Sequence, residues 1–449
     1  MISIAPVKRA VAGQTVAKGT LPKRDRSSYT CGMSVDYLVI GAGVVGLSTA
    51  YHLKRAEPSA RVLVLEQKSR ICSGNSARSA ALYRNLFSSS TSRALAESSI
   101  TYYESIAAEI ALKANGYLWG FSRAAWKASE AAIRKLAAEL RSAQILEGAA
   151  LRDLIACAQE DEPPFAAPYA ALFSLRCGSL SAMALAEHYA ARLRERGGQI
   201  LTGRAAVQFL FTEAGEGAAP WERENFSAVV DSSGERHDVG RIVAAAGCWL
   251  QDLLGPAGVA TGIYPKKRQL FGLRIEDPSL ILAPEIEAGR APNIILPTAS
   301  VYLKPILDRG LLLVGCADDL GRPFELPYAP AEAAKPEAAY FRSVIEPVLR
   351  AAFPRLAAAH PEPLELATSW AGHYDYYWPD RNPVVEIAGN LVWVGGSSGS
   401  GIMKADAIGR IAAARARGEL RTELADGTWF NVSDLSLRTR AVAPESLVI

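Results

Sequence analysis

The sequence predicts an α/β fold: a Rossmann-type dinucleotide-binding domain assembled from several segments, with an antiparallel-sheet domain inserted between them. Two observations predict the first domain. Residues 36–46 run from an apolar strand into a glycine-rich turn, and a second glycine-rich turn, 395–401, lies between a strand and a helix. The strand-rich stretch 262–330 predicts the inserted sheet. Since 449 residues are too many for one compact core, two domains are expected.

The first turn has the spacing of a dinucleotide site. Gly41, Gly43 and Gly46 form G-x-G-x-x-G, which permits a tight turn, close approach of a pyrophosphate and close packing of strand and helix. Residues 47–55 continue as a helix whose N-terminus faces the phosphates, and the strand 61–65 ends on Glu66. An acid there suits the unphosphorylated ribose of FAD or NAD and argues against NADP. The predicted contacts are Gly41, Ala42, Gly43, Val44, Val45, Gly46, Glu66 and Gln67.

Apolar periodicity places helices and strands between the two turns. Helices are predicted at 91–110, 126–145, 181–196, 331–351 and 402–417, and strands at 116–121, 199–202, 205–211, 241–246, 269–275, 293–297, 301–305, 311–316 and 390–394. The nucleotide-binding domain is therefore expected to comprise 33–90, 170–262 and 365–427. The inserted substrate domain is expected at 91–169 and 263–364, and a C-terminal tail at 428–449.

Charge divides the chain into a basic N-terminal extension and a nearly neutral body. Residues 1–32 contain six Lys or Arg and one acid, whereas the whole chain has a net charge of only +3. The body therefore has no basic surplus, and nucleic acid is not expected as a partner. We expect 1–32 to be disordered, with Met33 as a possible true start; a targeting or membrane-contact arm is the alternative.

Cysteine and histidine usage predicts an intracellular, cytoplasmic protein without a metal site. The six cysteines include no C-x-x-C pair, and the five histidines form no H-x-x-x-H pair. Such cysteines are expected to be reduced and mainly buried. The sequence contains no uninterrupted apolar run of about twenty residues, so we expect no transmembrane helix. Peripheral membrane contact and a homo-oligomer both stay open.

Several short motifs occur in a fixed order along residues 35–418: a small-residue loop at 73–81 followed by 83–85, a helix opening at 178–185, and segments 243–249, 265–269, 370–375, 379–383 and 395–403. In this order they resemble the D-amino-acid-oxidase-like family of FAD-dependent oxidoreductases, which includes sarcosine oxidase, glycine oxidase and dye-linked L-proline dehydrogenase. The resemblance favours FAD over NAD, because a second glycine turn near the C-terminus is what a flavin ring requires. It implies further FAD contacts from Ser73, Ser76, Arg78, Val207, Ala246, Gly247, Trp249, Gly399, Ser400, Gly401, Ile402 and Met403.

The chain departs from the family pattern at the substrate end. Ser400 stands where the family often has histidine, and the lysine that sarcosine oxidases carry at the position of Met403 is one place later, at Lys404. One extra residue lies between Tyr374 and Pro379. The cysteines to which some relatives attach flavin have no obvious counterpart, so non-covalent FAD is expected.

The resemblance implies oxidation of a small, carboxylate-bearing, amino-acid-like amine by hydride transfer to flavin N5. Backbone N–H groups of residues 400–403 can face the charge that develops at N1 and the C2 oxygen. Arg84 is the candidate partner of the substrate carboxylate, with a surface position or a flavin-phosphate contact as alternatives. Tyr374 is either an aromatic wall of the site or a core residue. Lys404 either binds substrate or flavin, or faces solvent. No acid or histidine stands out as a base, which fits hydride transfer from a neutral amine.

Three functions stay open at this point. The first is an FAD-dependent amine or amino-acid dehydrogenase or oxidase of the proline and sarcosine type, with an unknown electron acceptor. The second is a 2-hydroxy-acid or glycerol-3-phosphate dehydrogenase, against which the scarcity of histidine weighs. The third is a flavin-binding subunit or assembly factor without turnover of its own.

The tail ends in three apolar residues, 447–449, which have little reason to stay in water. We expect them to dock on the protein, and the sharper hypothesis is that they cover the active-site mouth as a lid that excludes water. Docking on a neighbouring subunit and simple fraying are the alternatives.

Overall fold

The computed structural model describes residues 30–140, 142–161, 165–212, 225–284, 286, 290–317, 334–440 and 442–447. Its strands are β1 (Thr30–Ile40), β2 (Val62–Glu66), β3 (Leu82–Tyr83), β4 (Tyr117–Phe121), β5 (Ala143–Glu147), β6 (Ala170–Ser174), β7 (Gly178–Ser179), β8 (Gln199–Thr202), β9 (Ala206–Phe211), β10 (Phe226–Asp231), β11 (Glu235–Ala244), β12 (Tyr264–Arg274), β13 (Asn293–Ile295), β14 (Val301–Ile306), β15 (Leu311–Cys316), β16 (Leu366–Tyr376), β17 (Val384–Ala388), β18 (Leu391–Gly395), β19 (Arg421–Glu423) and β20 (Trp429–Asn431). Its helices are α1 (Val44–Ala56), α2 (Ser90–Ser105), α3 (Arg123–Glu139), α4 (Ala149–Arg152), α5 (Ala182–Glu195), α6 (Leu250–Leu254), α7 (Ala338–Tyr340), α8 (Glu346–Ala352), α9 (Pro354–Ala359) and α10 (Gly401–Arg417).

The first large sheet has a parallel centre in the order β18-β11-β1-β2-β8. β17 pairs antiparallel with β18 at one edge, and the β9–β10 pair joins β11. Every residue of β2 is buried, as expected for a parallel strand covered on both faces. Helices α1, α5 and α10 pack on one face, where Leu47, Leu185 and Ile408 share a core. The Rossmann-type sheet predicted from the sequence is confirmed.

The second large sheet runs β16-β12-β15-β14-β13-β4-β6-β5 and is antiparallel except for the parallel pair β13–β4. Helices α8 and α9 cover it, with Leu349 and Leu356 packed in one core with Phe271 and Leu303. β12 and β16 pair from Tyr264 opposite Tyr376 to Leu273 opposite Leu366. The inserted antiparallel sheet is therefore present, and the end of β16 carries residues 373–376 towards the first sheet.

The expected domain boundaries need three corrections. Helix α2 was assigned to the substrate domain, but its Leu95 and Ile100 lie in the core formed with α1 and α10. Strands β6 and β16 were assigned to the nucleotide-binding domain, but both pair within the second sheet. The physical reason is the same in each case: the partner of a strand or helix face is distant in sequence, so local periodicity does not identify it.

The helix predicted at 126–145 is displaced. α3 begins at Arg123, because the Ser122 hydroxyl accepts the Ala125 N–H as an N-cap, and it ends at Glu139. Residues Ala143–Glu147 instead form β5, which pairs with β6. Alanine-rich composition extended the predicted helix into a stretch that tertiary pairing holds as a strand.

The start of the chain also differs from expectation. β1 begins at Thr30, opposite Glu235 of β11, so the prediction of disorder is wrong for residues 30–32. Residues 1–29 lie outside the described part of the chain. Within the described ranges no helix is long and apolar enough to cross a membrane. Five cysteines in those ranges are buried: Cys72, Cys157, Cys177, Cys248 and Cys316.

Candidate active site

A cavity of about 400 Å³ lies along the carboxyl ends of the parallel strands, where open α/β sheets bind their ligands. It reaches from Glu66 at the end of β2 to Tyr374 on β16, and both glycine-rich turns line it. The wall therefore combines the elements that the sequence assigned to the two ends of a dinucleotide cofactor.

The first turn is shaped by close backbone packing. A side chain at Gly46 would put its Cβ 2.0 Å from the Gly41 carbonyl oxygen, so α1 can approach the turn only with glycine there. Helix α1 starts after Gly43, which has no side chain to cap it, and the Val44 N–H makes a long hydrogen bond of 3.4 Å to Ser76 Oγ. Val44 and Val45 line the cavity, so the N-terminus of α1 is placed to receive phosphate oxygens. This geometry fits a pyrophosphate. Gly46 and Ala42 lie behind the wall and support it, whereas the other predicted residues of the turn line the cavity.

Glu66 holds the turn as well as lining the cavity. It is 8% exposed, and its Oε2 accepts the Ala42 N–H at 2.8 Å while Oε1 accepts the Lys68 N–H at 2.9 Å. The carboxylate is thus fixed at the end of β2, where the resemblance places a ribose. Gln67 lines the cavity beside it.

The loop after β2 connects the cavity to the second sheet. Ser76 Oγ accepts the Val44 N–H at 3.4 Å, and Asn75 Oδ1 accepts the His373 N–H of β16 at 2.9 Å. Ser73, Ser76 and Arg78, which were predicted to contact FAD, line the cavity, and so do Ala246, Gly247 and Trp249 from the opposite side. Asn75 was missed, because nothing local indicates that this loop reaches β16.

Val207 does not line the cavity, contrary to expectation. Its side chain is 55% exposed on β9, and the neighbouring Arg204, Ala205 and Ala206 contribute to the wall instead. Adjacent residues of a strand point to opposite faces, so an error of one position moves the side chain out of the site.

The second turn is tied to β16 through an acid that the sequence analysis did not select. Asp375 Oδ1 accepts the Ser397 hydroxyl at 2.5 Å, and its Oδ2 accepts the Ser397 N–H at 3.1 Å. Burial raises the pKa of the Asp375 carboxyl. A side chain at Gly399 would put its Cβ 2.4 Å from Tyr374 Cε2, so this glycine lets the tyrosine ring lie against the turn. Helix α10 then starts at Gly401 without a side-chain cap, leaving its first N–H groups available to a ligand.

A second, smaller cavity of about 40 Å³ adjoins this turn, and we call it the substrate cavity. Tyr374, Gly399 and Ile402 line both cavities, whereas Ser400 and Met403 line only the smaller one. The second turn therefore lies between the two compartments. The β3 segment, β14 and the C-terminal tail also contribute to the wall, through Leu82, Arg84, Phe87, Tyr302, Glu445 and Leu447.

Arg84 is buried in the wall of the substrate cavity. It is 3% exposed, and its guanidinium carbon lies 4.0 Å from the Phe87 ring centroid and 4.9 Å from that of Trp119. One terminal nitrogen donates to the Leu86 carbonyl, and Nη2 donates to the Leu447 carbonyl at 2.5 Å. Burial lowers the pKa of this guanidinium from its ordinary value. Arg84 is thus not a surface residue, and it does not line the larger cavity where phosphates would lie.

Tyr374 is partly buried and lies at the boundary of the two cavities. Arg268 lies over its ring, with the guanidinium carbon 5.3 Å from the centroid. Burial raises the pKa of the phenol, so it stays protonated and can donate a hydrogen bond. This position fits the predicted aromatic wall.

Lys404 contributes to neither cavity, contrary to both alternatives. It is fully buried between α10 and α2, where Nζ donates to Ser92 Oγ at 2.8 Å and lies 4.1 Å from the Phe87 ring centroid. Burial lowers the pKa of its ammonium to about 7. Successive helical residues are rotated by about 100°. Because the lysine lies one position later than in sarcosine oxidases, Met403 lines the cavity and Lys404 points into the core.

Two charged residues of the substrate cavity were missed. Arg381 lines it and donates through Nη1 to the Glu445 carbonyl at 2.7 Å. Glu445 is 2% exposed, and its carboxylate accepts the N–H groups of Ser88 at 2.8 Å and Ser89 at 2.9 Å. No local pattern could have indicated that the tail returns to α2, more than 350 positions earlier in the chain.

A group of three potential metal ligands, Asp231, Glu235 and His237, occurs in the first sheet. Arg204 Nη1 donates to Asp231 at 2.9 Å and to Glu235 at 3.1 Å, so a cation already compensates this cluster. We interpret it as a structural ion-pair network that joins β10, β11 and the segment before β9.

Comparison with known proteins is consistent with this geometry. The protein "FAD-dependent oxidoreductase domain-containing protein 1" of Bos taurus is 24% identical over 417 residues, covering 84% of this chain and 80% of its own. L-proline dehydrogenase from P. horikoshii superposes with a TM-score of 0.70 at 20% identity, covering 86% of this chain and 94% of its own. Glycine oxidase from Geobacillus kaustophilus gives a TM-score of 0.66 at 18% identity, with coverages of 90% and 99%. At these identities the two structures support the fold.

A family model described as FAD dependent oxidoreductase matches residues 36–415, most of the chain. The match spans both glycine-rich turns and the strands that carry them. The chain therefore belongs to the D-amino-acid-oxidase (DAO) family of FAD-dependent oxidoreductases.

Proposed function

We propose that this protein oxidises a carboxylate-bearing amine, an amino acid of the L-proline, sarcosine or glycine type, with FAD held non-covalently. The observation that carries the proposal is the buried Arg84 in a small cavity that adjoins the larger one at Tyr374. A planar guanidinium packed between Phe87 and Trp119 is suited to bidentate binding of a carboxylate. It would orient the amine beside the turn that separates the cavities.

The residues of the larger cavity support FAD as the cofactor. Glu66 would hold the ribose, the N-terminus of α1 the pyrophosphate, and the turn at 396–401 the flavin ring. FAD held there would supply the acceptor for the hydride that the substrate carbon loses. The uncapped N-terminus of α10 would stabilise the negative charge that develops on the ring.

The lining of the substrate cavity favours an amine that loses hydride without a strong protein base. Glu445 is the only acid among the described residues of that wall, and the N–H groups of Ser88, Ser89 and Leu447 already donate to its carboxylate. A 2-hydroxy acid would require a base to take up its hydroxyl proton.

Non-covalent binding is supported by Cys248, which lines the larger cavity. Its Sγ accepts a hydrogen bond from Asn75 Nδ2 at 3.2 Å, and burial raises the pKa of the thiol to about 12. A thiol that stays protonated is a poor nucleophile for attachment to a flavin.

Turnover with an artificial electron acceptor across a panel of amino and hydroxy acids tests the proposal. We expect amines of the proposed class to be oxidised and hydroxy acids to be inert. Oxidation of hydroxy acids alone would make the protein a 2-hydroxy-acid or glycerol-3-phosphate dehydrogenase. No turnover by the FAD-loaded protein would make it a flavin-binding subunit or assembly factor.

Substitution of Arg84 tests the residue that carries the proposal. Arg84→Lys should raise the Michaelis constant about tenfold or more, since a hydrogen-bonded charge pair contributes about 1.5–3 kcal/mol. Flavin content should stay near normal. The matched control is Arg78→Lys, in an arginine that lines the larger cavity, which should change FAD retention rather than the Michaelis constant. Loss of FAD from Arg84→Lys with an unaltered Michaelis constant would reassign Arg84 to the cofactor.

A further inference from the structure

The C-terminal strap, which we define as residues 445–447, forms part of the wall of the substrate cavity. Glu445 is 2% exposed and Leu447 8% exposed, although they lie two to four residues from the end of the chain. With the strap seated, the cavity volume is about 40 Å³, room for only a few water molecules. The seated strap therefore leaves little free space beside Arg84.

The strap engages the cations of the cavity. Arg84 Nη2 donates to the Leu447 carbonyl at 2.5 Å, and Arg381 Nη1 donates to the Glu445 carbonyl at 2.7 Å. These are the two cationic side chains among the described residues that line the cavity. The strap therefore puts a main-chain oxygen atom on each group that would attract an anionic substrate.

The strap is held by its own anchors. The Glu445 carboxylate accepts the Ser88 N–H at 2.8 Å, the Ser88 hydroxyl at 2.7 Å and the Ser89 N–H at 2.9 Å, immediately before α2. The Leu447 side chain packs in a core with Leu82 and Leu86. A charged anchor and an apolar anchor thus lie on either side of Ser446, so the strap is bound as a unit.

We infer that the strap occupies the position of the substrate, so that a substrate carboxylate and the Leu447 carbonyl compete for Arg84. The inference rests on the proposed role of Arg84 as the carboxylate partner. A substrate carboxylate carries a full negative charge and can bind a guanidinium through two parallel hydrogen bonds, whereas the Leu447 carbonyl is neutral and accepts one, so a substrate can displace the strap. The substrate binds only the molecules in which the strap is away, so its apparent dissociation constant equals the intrinsic one divided by the fraction of such molecules. A lid has the opposite effect, because it adds contacts to the bound substrate.

Acetate binding to the FAD-loaded protein distinguishes the two roles. Acetate offers a carboxylate and almost nothing else, so its dissociation constant, measured by calorimetry, reports access to the cations of the cavity. Removal of residues 444–449 should lower that constant about tenfold or more, the factor expected if the strap is away in roughly one molecule in ten. The matched control is Ser446→Ala, which changes an exposed side chain and keeps the strap. Its dissociation constant should equal that of the full chain.

A second variant covers the case in which the shortened chain does not retain FAD. Glu445→Gln keeps the length of the chain but removes the charge of the anchor, and it should lower the dissociation constant by a smaller factor. Unchanged binding in both variants would overturn the inference, and weaker binding would make the strap a lid. Removal of residues 444–449 should tighten acetate binding less when position 84 carries lysine. If it tightened binding by the same factor in the Arg84→Lys protein, competition at Arg84 would be overturned. Failure of the amine panel, with strap-dependent acetate binding intact, would contradict the proposed function and leave this inference standing.

Discussion

Replacement of Lys404 by methionine separates stability from function at a position for which the sequence left a binding role and solvent exposure open. The ammonium is fully buried, and its pKa is lowered to about 7. An unfolded lysine titrates at about 10.4, so the difference of over three pKa units corresponds to roughly 4–5 kcal/mol. Below pH 7 both states carry the proton and the folded protein bears this full cost. Between about 7 and 10.4 only the unfolded state binds the proton, so stability rises with pH.

Lys404→Met should remove this dependence, because methionine fills a similar volume without a charge. Ser92 keeps a partner, since its hydroxyl donates to Asn382 Oδ1 at 2.7 Å. The groups that act on the ammonium are Arg84, which lowers its pKa, and Glu445, which raises it, and both remain in the variant. The variant should therefore be more stable than the original protein at pH 7. The original protein should recover about 1.4 kcal/mol of that difference per pH unit up to pH 9.

Thermal unfolding of both proteins at pH 7, 8 and 9 provides the measurement. The difference in melting temperature should be largest at pH 7 and shrink towards pH 9. Lys135→Met makes the same chemical change at a side chain that is 80% exposed and serves as the control. Flavin content and Michaelis constant should not change in Lys404→Met, because Lys404 lines neither cavity. Parallel melting curves, or loss of substrate affinity with normal stability, would refute the reasoning.

Three further predictions follow from the larger cavity. The purified protein should be yellow and release intact FAD on acid denaturation, whereas a colourless protein that binds NAD tightly would contradict the cofactor assignment. Glu66→Ala should weaken FAD binding by roughly 1.5–3 kcal/mol, measured by flavin fluorescence during dilution, and an unchanged affinity would remove Glu66 from the site. Asp375→Ala should lower both FAD affinity and melting temperature, because Ser397 loses the acceptor for its N–H and hydroxyl. A normal affinity would show that other contacts hold the second turn.

The parts of the site that the sequence predicted are those whose geometry is local. The first turn could be assigned almost residue by residue, because the need for glycine arises from atoms a few positions away, such as Gly46 against the Gly41 carbonyl. The acid at the end of β2 follows for the same reason, since strand length fixes its distance from the turn. The second turn was found because strand, glycines and helix are contiguous there.

The predictions are wrong or incomplete where the position of a side chain depends on which face of its strand or helix it occupies, or on contacts with residues distant in sequence. Val207 and Lys404 are each one position from a residue that lines a cavity, Ala206 in the strand and Met403 in the helix. A motif resemblance does not fix that phase, because it tolerates insertions. Asp375, Arg381 and Glu445 were missed because their partners are at least 22 positions away and no repeat or spacing connects them.

The arrangement has a consequence for how the protein combines two binding events. Asp375 and Asn75 join the end of β16 to the second turn and to the loop after β2, so both sheets contribute to the cofactor wall. The substrate cavity in turn uses Arg84 near β3, Tyr374 on β16 and the strap from the chain end. A cofactor in the larger cavity would therefore contact both sheets, including Tyr374 beside the second turn. Since ligands stabilise the conformation they bind, FAD would fix the relative position of the sheets and pre-organise the substrate cavity before any substrate arrives. The two domains are built from segments that alternate along the sequence, and the proposed chemistry depends on the contacts between their sheets.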